Sequence, residues 1–472
     1  MIEKYYNGVI EQVAGGIGNV EHNSILVRYS NDFSIWDLES VNHYKDQTDI
    51  FFTCHEFSYN KIAEAYEPYL GLIRQMFHKY CSGTLEEFME ECDVYKLQRP
   101  VFESYFEKGF CERTEQILID EVEYEQERMH SSIVTMLQKL SEICPIVIVL
   151  NRFQLASKST MQLTNRLLQT KNKNIGIVLG VNDVQSIPEF AHEEWDAICE
   201  SMDDRNMVYH IGNAGRNMEP DVMDYYSDYE SDDGYRKLNN LVYFLDFDQA
   251  DHHLSKIERR IKFDNFTISE KKHYQLLLLQ IMVSVLQRDI AKALESCEDL
   301  EKLQDQEKEG AFYYNFWMAT SYMYLGKLEE AMIYVQKAKE CGEALGDDFL
   351  VFRAELLKAQ NQMSGWCNIF FCAQDIEISD KLIEKLNAYH YKNHLAHIYI
   401  YAYDNKPEIV AKAYRSEAFL IYFSKGVALA KEIGNEQLIS IAYRKNIMIA
   451  STNGMNEIAM LYSVRTYQFM KS

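Results

Sequence analysis

Residues 146–150, Ile-Val-Ile-Val-Leu, are five consecutive apolar residues, four of them β-branched. A run like that reads as a strand buried on both faces of a parallel sheet. A polar turn follows over residues 151–159. Beyond it, Met161, Leu163, Leu167 and Leu168 recur at helical spacing. Strand, turn and helix make half of a βαβ unit, which commits this part of the chain to an α/β architecture.

Other segments extend the pattern. Ile25-Leu26-Val27, residues 49–54 (DIFFTC), residues 175–181 (IGIVLGV) and residues 207–211 (MVYHI) read as further strands. Helical patterns separate them. One starts at Ser34 with Ile35, Leu38 and Val41 on one face, another spans Tyr59–Tyr80 around Pro68, and others lie between Leu85 and Leu140. Strands alternating with helices predict a parallel sheet with helices on both faces, over residues 1–213. The stretch 219–233, EPDVMDYYSDYESDD, has no helical pattern and predicts an exposed connector. It falls in a linking region, 214–264, in which residues 241–247 read as strand-like.

Residues 265–472 read as helical throughout, and repeats are visible there. Residues 315–339, NFWMATSYMYLGKLEEAMIYVQKAK, place Ala319, Tyr322, Gly326, Leu328, Ala331 and Ala338 where the 34-residue tetratricopeptide pattern needs them. Small Ala319 and Ala331 let two helices approach, Tyr322 fills the wedge between them and Gly326 makes the turn. Ala293 and Ala459 mark weaker copies. Lys337, Lys381 and Lys425 recur every 44 residues, and QKAKECGEALGD at 336–347 is similar to SKGVALAKEIGN at 424–435. Four or five long, irregular helical pairs would stack as a solenoid. No polar capping helix is evident at the end, so a further domain or a partner is expected to cover it. By the repeat pattern Tyr313, Phe316, Thr320, Met323 and Tyr324 face the groove, a surface suited to a peptide or a partner helix. The same stripe would serve equally as core.

Charge and cysteine usage narrow the setting. A net charge of -24 disfavours nucleic acid and acidic membrane surfaces. No stretch approaches the roughly 20 apolar residues of a membrane span. Met1-Ile2-Glu3-Lys4-Tyr5 does not open a signal peptide. None of the 10 cysteines has CxxC spacing, so reduced, mostly buried thiols in the cytoplasm are expected.

The first half resembles the signal-transducing P-loop ATPases called STAND proteins, the class that includes maltose-regulator-like activators. Residues 49–57 followed by Ala65-Tyr66-Glu67-Pro68-Tyr69-Leu70 are similar to that family's second strand and its "pyaPf" helix start. Residues 146–163 are similar to its Walker B block, with Gln154, Ala156 and Ser159 matching. Residues 175–183 are similar to its sensor strand. The resemblance implies a P-loop-NTPase-like domain followed by tetratricopeptide repeats, in a bacterial signalling protein. The departures are chemical. The family's acidic pair is Asn151-Arg152, its Trp is Leu155, its next Asp is Ser157, and its sensor Arg falls near Asn182-Asp183. No G-x-x-x-x-G-K-[ST] occurs. A remnant of the phosphate loop lies either at Gly15-Gly16-Ile17-Gly18-Asn19 or, preferably, in residues 29–34 after the first strand. The degenerate pocket would then comprise Ser30, Asn31, Ser34, Asn151 and Arg152. Without the cation, the metal ligands and the sensor, phosphoryl transfer is not expected, and neither cofactor nor metal is assigned. Weak ATP or ADP binding stays open, because a helix start alone attracts phosphate.

Two other clusters attract attention. His390, His394 and His397 share a helix face, but no carboxylate or cysteine lies beside them in sequence. Asp246, Asp248, Asp251, His252 and His253 read as a strand end running into an exposed helix start. The sequence therefore predicts a non-catalytic regulatory or scaffold protein that acts by protein or peptide contacts of its repeats. Three alternatives remain. They are the sensory part of a longer or split regulator carrying a diguanylate cyclase or a helix-turn-helix activator, a nucleotide-dependent switch, and a peptide-binding receptor.

Overall fold

In the computed structural model the described residues are all but 1, 20–22, 31–32, 46, 48, 60, 114, 171, 183–186, 204–206, 212–227, 230, 264–265, 365–379, 402–416, 453 and 470–472. They form two compact units. One comprises Met1–Val94, Gln98–Arg113 and Glu125–Ile268; the other comprises Tyr95–Leu97, Thr114–Tyr124 and Ser269–Ser472.

The first unit is built on five strands, β1 (Ser24–Tyr29), β2 (Phe51–Glu56), β3 (Ile146–Asn151), β4 (Ile175–Asn182) and β5 (Val208–Ile211). All pair in parallel, in the order β2-β3-β4-β1-β5. Every residue of the inner strands β3 and β4 is buried, as their unbroken apolar runs predict. Residues 49–54 read as an equally buried strand, but β2 lies at the edge of the order and is only half-buried.

The helices of this unit are α1 (Ile2–Gly16), α2 (Glu39–Lys45), α3 (Tyr69–Tyr80), α4 (Leu85–Glu91), α5 (Arg99–Lys108), α6 (Val122–Ile143), α7 (Lys158–Gln169), α8 (His192–Asp203), α9 (Asp232–Tyr243) and α10 (Phe247–Phe263). The first residues of α6 fall in the second unit. Tyr6, Val9, Ile10 and Val13 of α1 pack into one core cluster with Val27, Val147, Val149 and Val178. Ile35, Leu38 and Val41 join it, as their spacing predicts. Gly180 explains how α1 comes so close. A Cβ there would lie 2.2 Å from the Tyr6 hydroxyl oxygen and 2.6 Å from Asn151 Oδ1, so a strand glycine marks a close approach.

One expectation changes in the region before the repeats. Residues 241–247 are not a strand: they span the end of α9, a turn and the start of α10. Leu238, Leu241 and Val242 are buried from one helix, and a short apolar run at a helix end looks like a strand. At the end of the acidic stretch Ser231 accepts from the Gly234 amide to start α9. Residues 212–227 lie outside the described residues. Helices α9 and α10 belong to the sheet unit, held by Asn240 Oδ1 accepting from Cys111 N at 3.0 Å and by the Arg236–Glu64 ion pair.

The second unit holds α11 (Glu270–Leu286), α12 (Ile290–Glu301), α13 (Gly310–Tyr324), α14 (Leu328–Leu345), α15 (Asp348–Ser364), α16 (Asp380–Ala388), α17 (Lys392–Tyr401), α18 (Glu417–Ile433), α19 (Glu436–Thr452) and α20 (Asn456–Phe469). The tetratricopeptide match is the α13–α14 pair. Ala319, Ala331 and Ala338 are fully buried where the two helices meet, and Gly326 turns between them at φ 73°. Tyr322 stacks on Tyr334 with ring centroids 5.5 Å apart. The similarity of residues 336–347 to 424–435 is structural as well. Gly346 and Gly434 hold the same place in the two segments, each with positive φ.

Candidate functional site

Parallel register brings the carboxyl ends of the strands into one row, the edge at which open α/β sheets bind ligands. Glu56 pairs with Asn151 across β2 and β3, and Tyr29 pairs with Asn182 across β1 and β4. Of the two places proposed for a phosphate loop, only the second reaches this row, through Tyr29, Phe33 and Ser34. Gly15 and Gly16 end α1, and Gly18 lies ahead of β1, at the opposite edge of the sheet.

Glu56 dominates the row. Its Oε2 accepts from the Ile35 amide at 3.0 Å and from Ser34 Oγ at 3.2 Å. Its Oε1 lies 2.9 Å from Arg152 Nη1, and both side chains are largely buried. The carboxylate therefore sits at the start of the helical turn following β1, where an anionic ligand would be drawn. Its counter-charge comes from the same chain. Arg152 adopts the left-handed conformation, φ 53°, and its guanidinium lies 5.0 Å from the Tyr59 ring centre.

Asn151 is fully buried. Its Oδ1 accepts from the Tyr29 hydroxyl at 2.7 Å, and its Nδ2 donates to the Phe33 carbonyl at 3.4 Å. Phe33 packs edge-on against Tyr6 and Tyr29, with centroids 5.2 and 4.9 Å away. Burial pushes the Tyr6 hydroxyl well above its ordinary pKa, with the Tyr29 and Glu56 charges adding to it. Gln154 Oε1 accepts from the Asn182 amide at 3.3 Å. Of the five proposed pocket residues, Ser34, Asn151 and Arg152 thus converge through Glu56, Tyr29 and Phe33. Ser30 follows β1 without a place in these contacts, and Asn31 lies outside the described residues.

The end of β3 thus carries an amide engaged by a tyrosine, the neighbouring cation is paired with Glu56, and the Tyr6, Tyr29 and Phe33 rings pack together beside them. The next helix start is also engaged. Asp246 Oδ2 accepts from the Ser159 amide at 2.8 Å, Gln249 Oε1 accepts from the Lys158 amide at 3.2 Å, and Lys158 pairs with Asp248. Burial raises the Asp246 carboxyl to about 6, against the pull of the Ser159 hydrogen bonds. The Asp246–His253 cluster is therefore not simply an exposed helix start. Asp246 is buried, and His253 Nδ1 lies 3.1 Å from the Tyr229 hydroxyl.

The helical unit gives a second polar centre. Sequence placed no carboxylate beside His394 and His397, but Glu115 and Glu121 supply two from afar. Glu115 Oε1 accepts from the His394 amide at 2.8 Å and lies 2.6 Å from its Nδ1. Glu121 Oε1 lies 2.9 Å from His397 Nε2 and accepts from Asn435 Nδ2 at 2.8 Å; its Oε2 accepts from Asn393 Nδ2 at 2.6 Å. Burial would raise the Glu121 carboxyl, but the His397 charge and the hydrogen bonds from His397, Asn435 and Asn393 outweigh it and hold the pKa at about 2. Among the described residues no group of three or more His, Cys, Asp or Glu is arranged to hold a metal ion.

The five groove residues divide. Phe316, Thr320 and Met323 are buried, the two apolar ones in the cluster that also holds Ala319 and Ala331. Tyr313 is partly buried against that cluster, under the Arg353 guanidinium at 5.5 Å. Tyr324 is exposed and lines an open cavity of about 550 Å³ with Leu325, Ile119 and residues 288–291.

No family model and no curated protein matches this chain. Among solved structures it is similar to a signal transduction ATPase with numerous domains (STAND) carrying a tetratricopeptide repeat sensor, from Pyrococcus horikoshii. The two share 13% identity over 95% of this chain and 81% of that one, with a TM-score of 0.42. Among the described residues no helix is long and apolar enough to cross a membrane.

Proposed function

We propose that this chain is a non-catalytic regulatory or scaffold protein whose sheet unit keeps the frame of a nucleotide-binding domain without its chemistry. Its output is contact between the helical-repeat unit and a protein or peptide. The observation that carries this reading is the Glu56 carboxylate on the Ile35 amide and Ser34 hydroxyl, neutralised by Arg152. A fixed internal carboxylate at a helix start competes with a phosphate for the same amide and the same cation, at an effective concentration no free ligand matches. Asn151, engaged by Tyr29, adds no metal-binding charge.

The resemblance to STAND proteins fits the same reading, since in that class an ATPase module and repeats control an output. The proposed setting is the bacterial cytoplasm, with no nucleic acid contacted directly. Phosphate release from ATP and GTP, measured with Mg²⁺ on the full chain, is the test. Release no faster than from a denatured control is expected. Turnover that persists in Arg152→Ala would mean that hydrolysis uses other groups, and turnover abolished by Arg152→Ala would make this row an active site. Either result ends the non-catalytic reading.

A further inference from the structure

Helix α20 is apolar on two opposite faces. On one, Ala459 and Thr466 are buried, and Tyr462 packs against Phe423 and Tyr443 with centroids 6.2 and 5.9 Å away. On the other, Met460, Leu461 and Val464 are 71%, 49% and 45% exposed. At roughly 100° per residue these three fall within one arc opposite Ala459 and Thr466. Single exposed apolar side chains are ordinary, but three neighbours on one helix form a contiguous patch of the kind that partners cover.

The charges flanking the stripe say what would cover it. Glu457 lies four residues before Leu461 and Arg465 lies four residues after it, and both are exposed. The Arg465 guanidinium rests 5.5 Å from the Tyr462 ring centre, which holds it at the stripe's edge. This arrangement is its own complement. If two copies of α20 run antiparallel about a two-fold axis at Leu461, each Glu457 meets Arg465 of the second copy, and the two Leu461 side chains meet at the axis. A parallel pair would set like charges side by side.

We propose that α20 is a homodimerisation face, on which a second copy of this chain packs antiparallel through Met460, Leu461 and Val464 with Glu457 and Arg465 fixing the register. A single helix from each copy makes a small interface, so the association is of moderate strength.

Sedimentation equilibrium of the full chain over a concentration series tests it. A monomer–dimer equilibrium is expected, with the dissociation constant raised at least ~10-fold by Leu461→Asp or by Val464→Asp. Glu457→Arg and Arg465→Glu alone should each weaken the dimer about 5-fold, and the double exchange should restore it. All these positions are exposed, and unchanged melting temperatures of the variants separate lost pairing from lost folding. A chain that stays monomeric at every concentration would overturn the proposal. So would a dimer indifferent to Leu461→Asp, or one that the double charge exchange weakens as much as the single ones.

Discussion

Both units bury carboxylates, but they stabilise them by different means. In the sheet unit Glu56 and Asp246 sit on backbone amides at the starts of helical turns, at Ile35 and Ser159. In the helical unit Glu121 is held by histidine and asparagine side chains, and Glu115 sits on both the amide of His394, in the first turn of α17, and its ring. The starts of α11 and α12 are capped locally, by Ser269 and Asp289. The difference shows in titration. Asp246, with amide and hydroxyl partners in a fully buried setting, is pushed up to about 6, whereas Glu121, beside His397 and two amides, is held at about 2. The helix starts at which a sheet domain of this kind would receive an anionic ligand are thus occupied from within, while the repeats use carboxylates as internal ties.

Acid titration should break this comparison most strongly. Glu121 has a folded pKa below its unfolded value, so its contribution is complete above about 4.5 and disappears as pH falls towards 2. The loss approaches ~3 kcal/mol over that window. Asp246 has the opposite sign. Its folded pKa lies above the ordinary 3.8, so lowering the pH through about 6 adds stability to the sheet unit and raising it removes that gain. Urea unfolding at a series of pH values should show an acid limb that Glu121→Gln flattens.

Glu56→Gln comes next, with an expected loss of about 3 kcal/mol in urea unfolding, because it takes the carboxylate from a largely buried Arg152. A loss below about 0.5 kcal/mol would mean that the pair is incidental. Gly180→Val should cost about 2 kcal/mol, since its Cβ would overlap the Tyr6 hydroxyl and Asn151. Its crystal structure should show Tyr6 displaced, and an undisturbed ring would refute the close approach. The smallest effect is expected at Gly326. Nothing lies within 4 Å of its would-be Cβ, so Gly326→Ala should cost only about 1 kcal/mol, from the positive φ alone.

Local signals in the sequence were legible. The runs 146–150 and 175–181 identified β3 and β4 because strands buried on both faces admit no polar residue. Ala319, Ala331 and Gly326 identified the α13–α14 pair because close helices need small residues and a tight turn needs positive φ. Features set by distant pairing stayed hidden. Glu56 is an unremarkable acid until register places it beside Asn151. The only available hint was an acid ending an apolar strand. Glu121 lies 276 residues from His397, and nothing in either segment points to the other. Residues 241–247 misled because the apolar end of α9 and the start of α10 abut.

Calorimetric titration of the full chain with ATP and ADP in the presence of Mg²⁺, carried to millimolar concentration, asks whether the row of strand ends is closed to nucleotide. No saturable heat is expected, because the amide and the cation that would take phosphate are held by Glu56. Saturable binding that Arg152→Ala abolishes would contradict this and would make the row of strand ends a working nucleotide site.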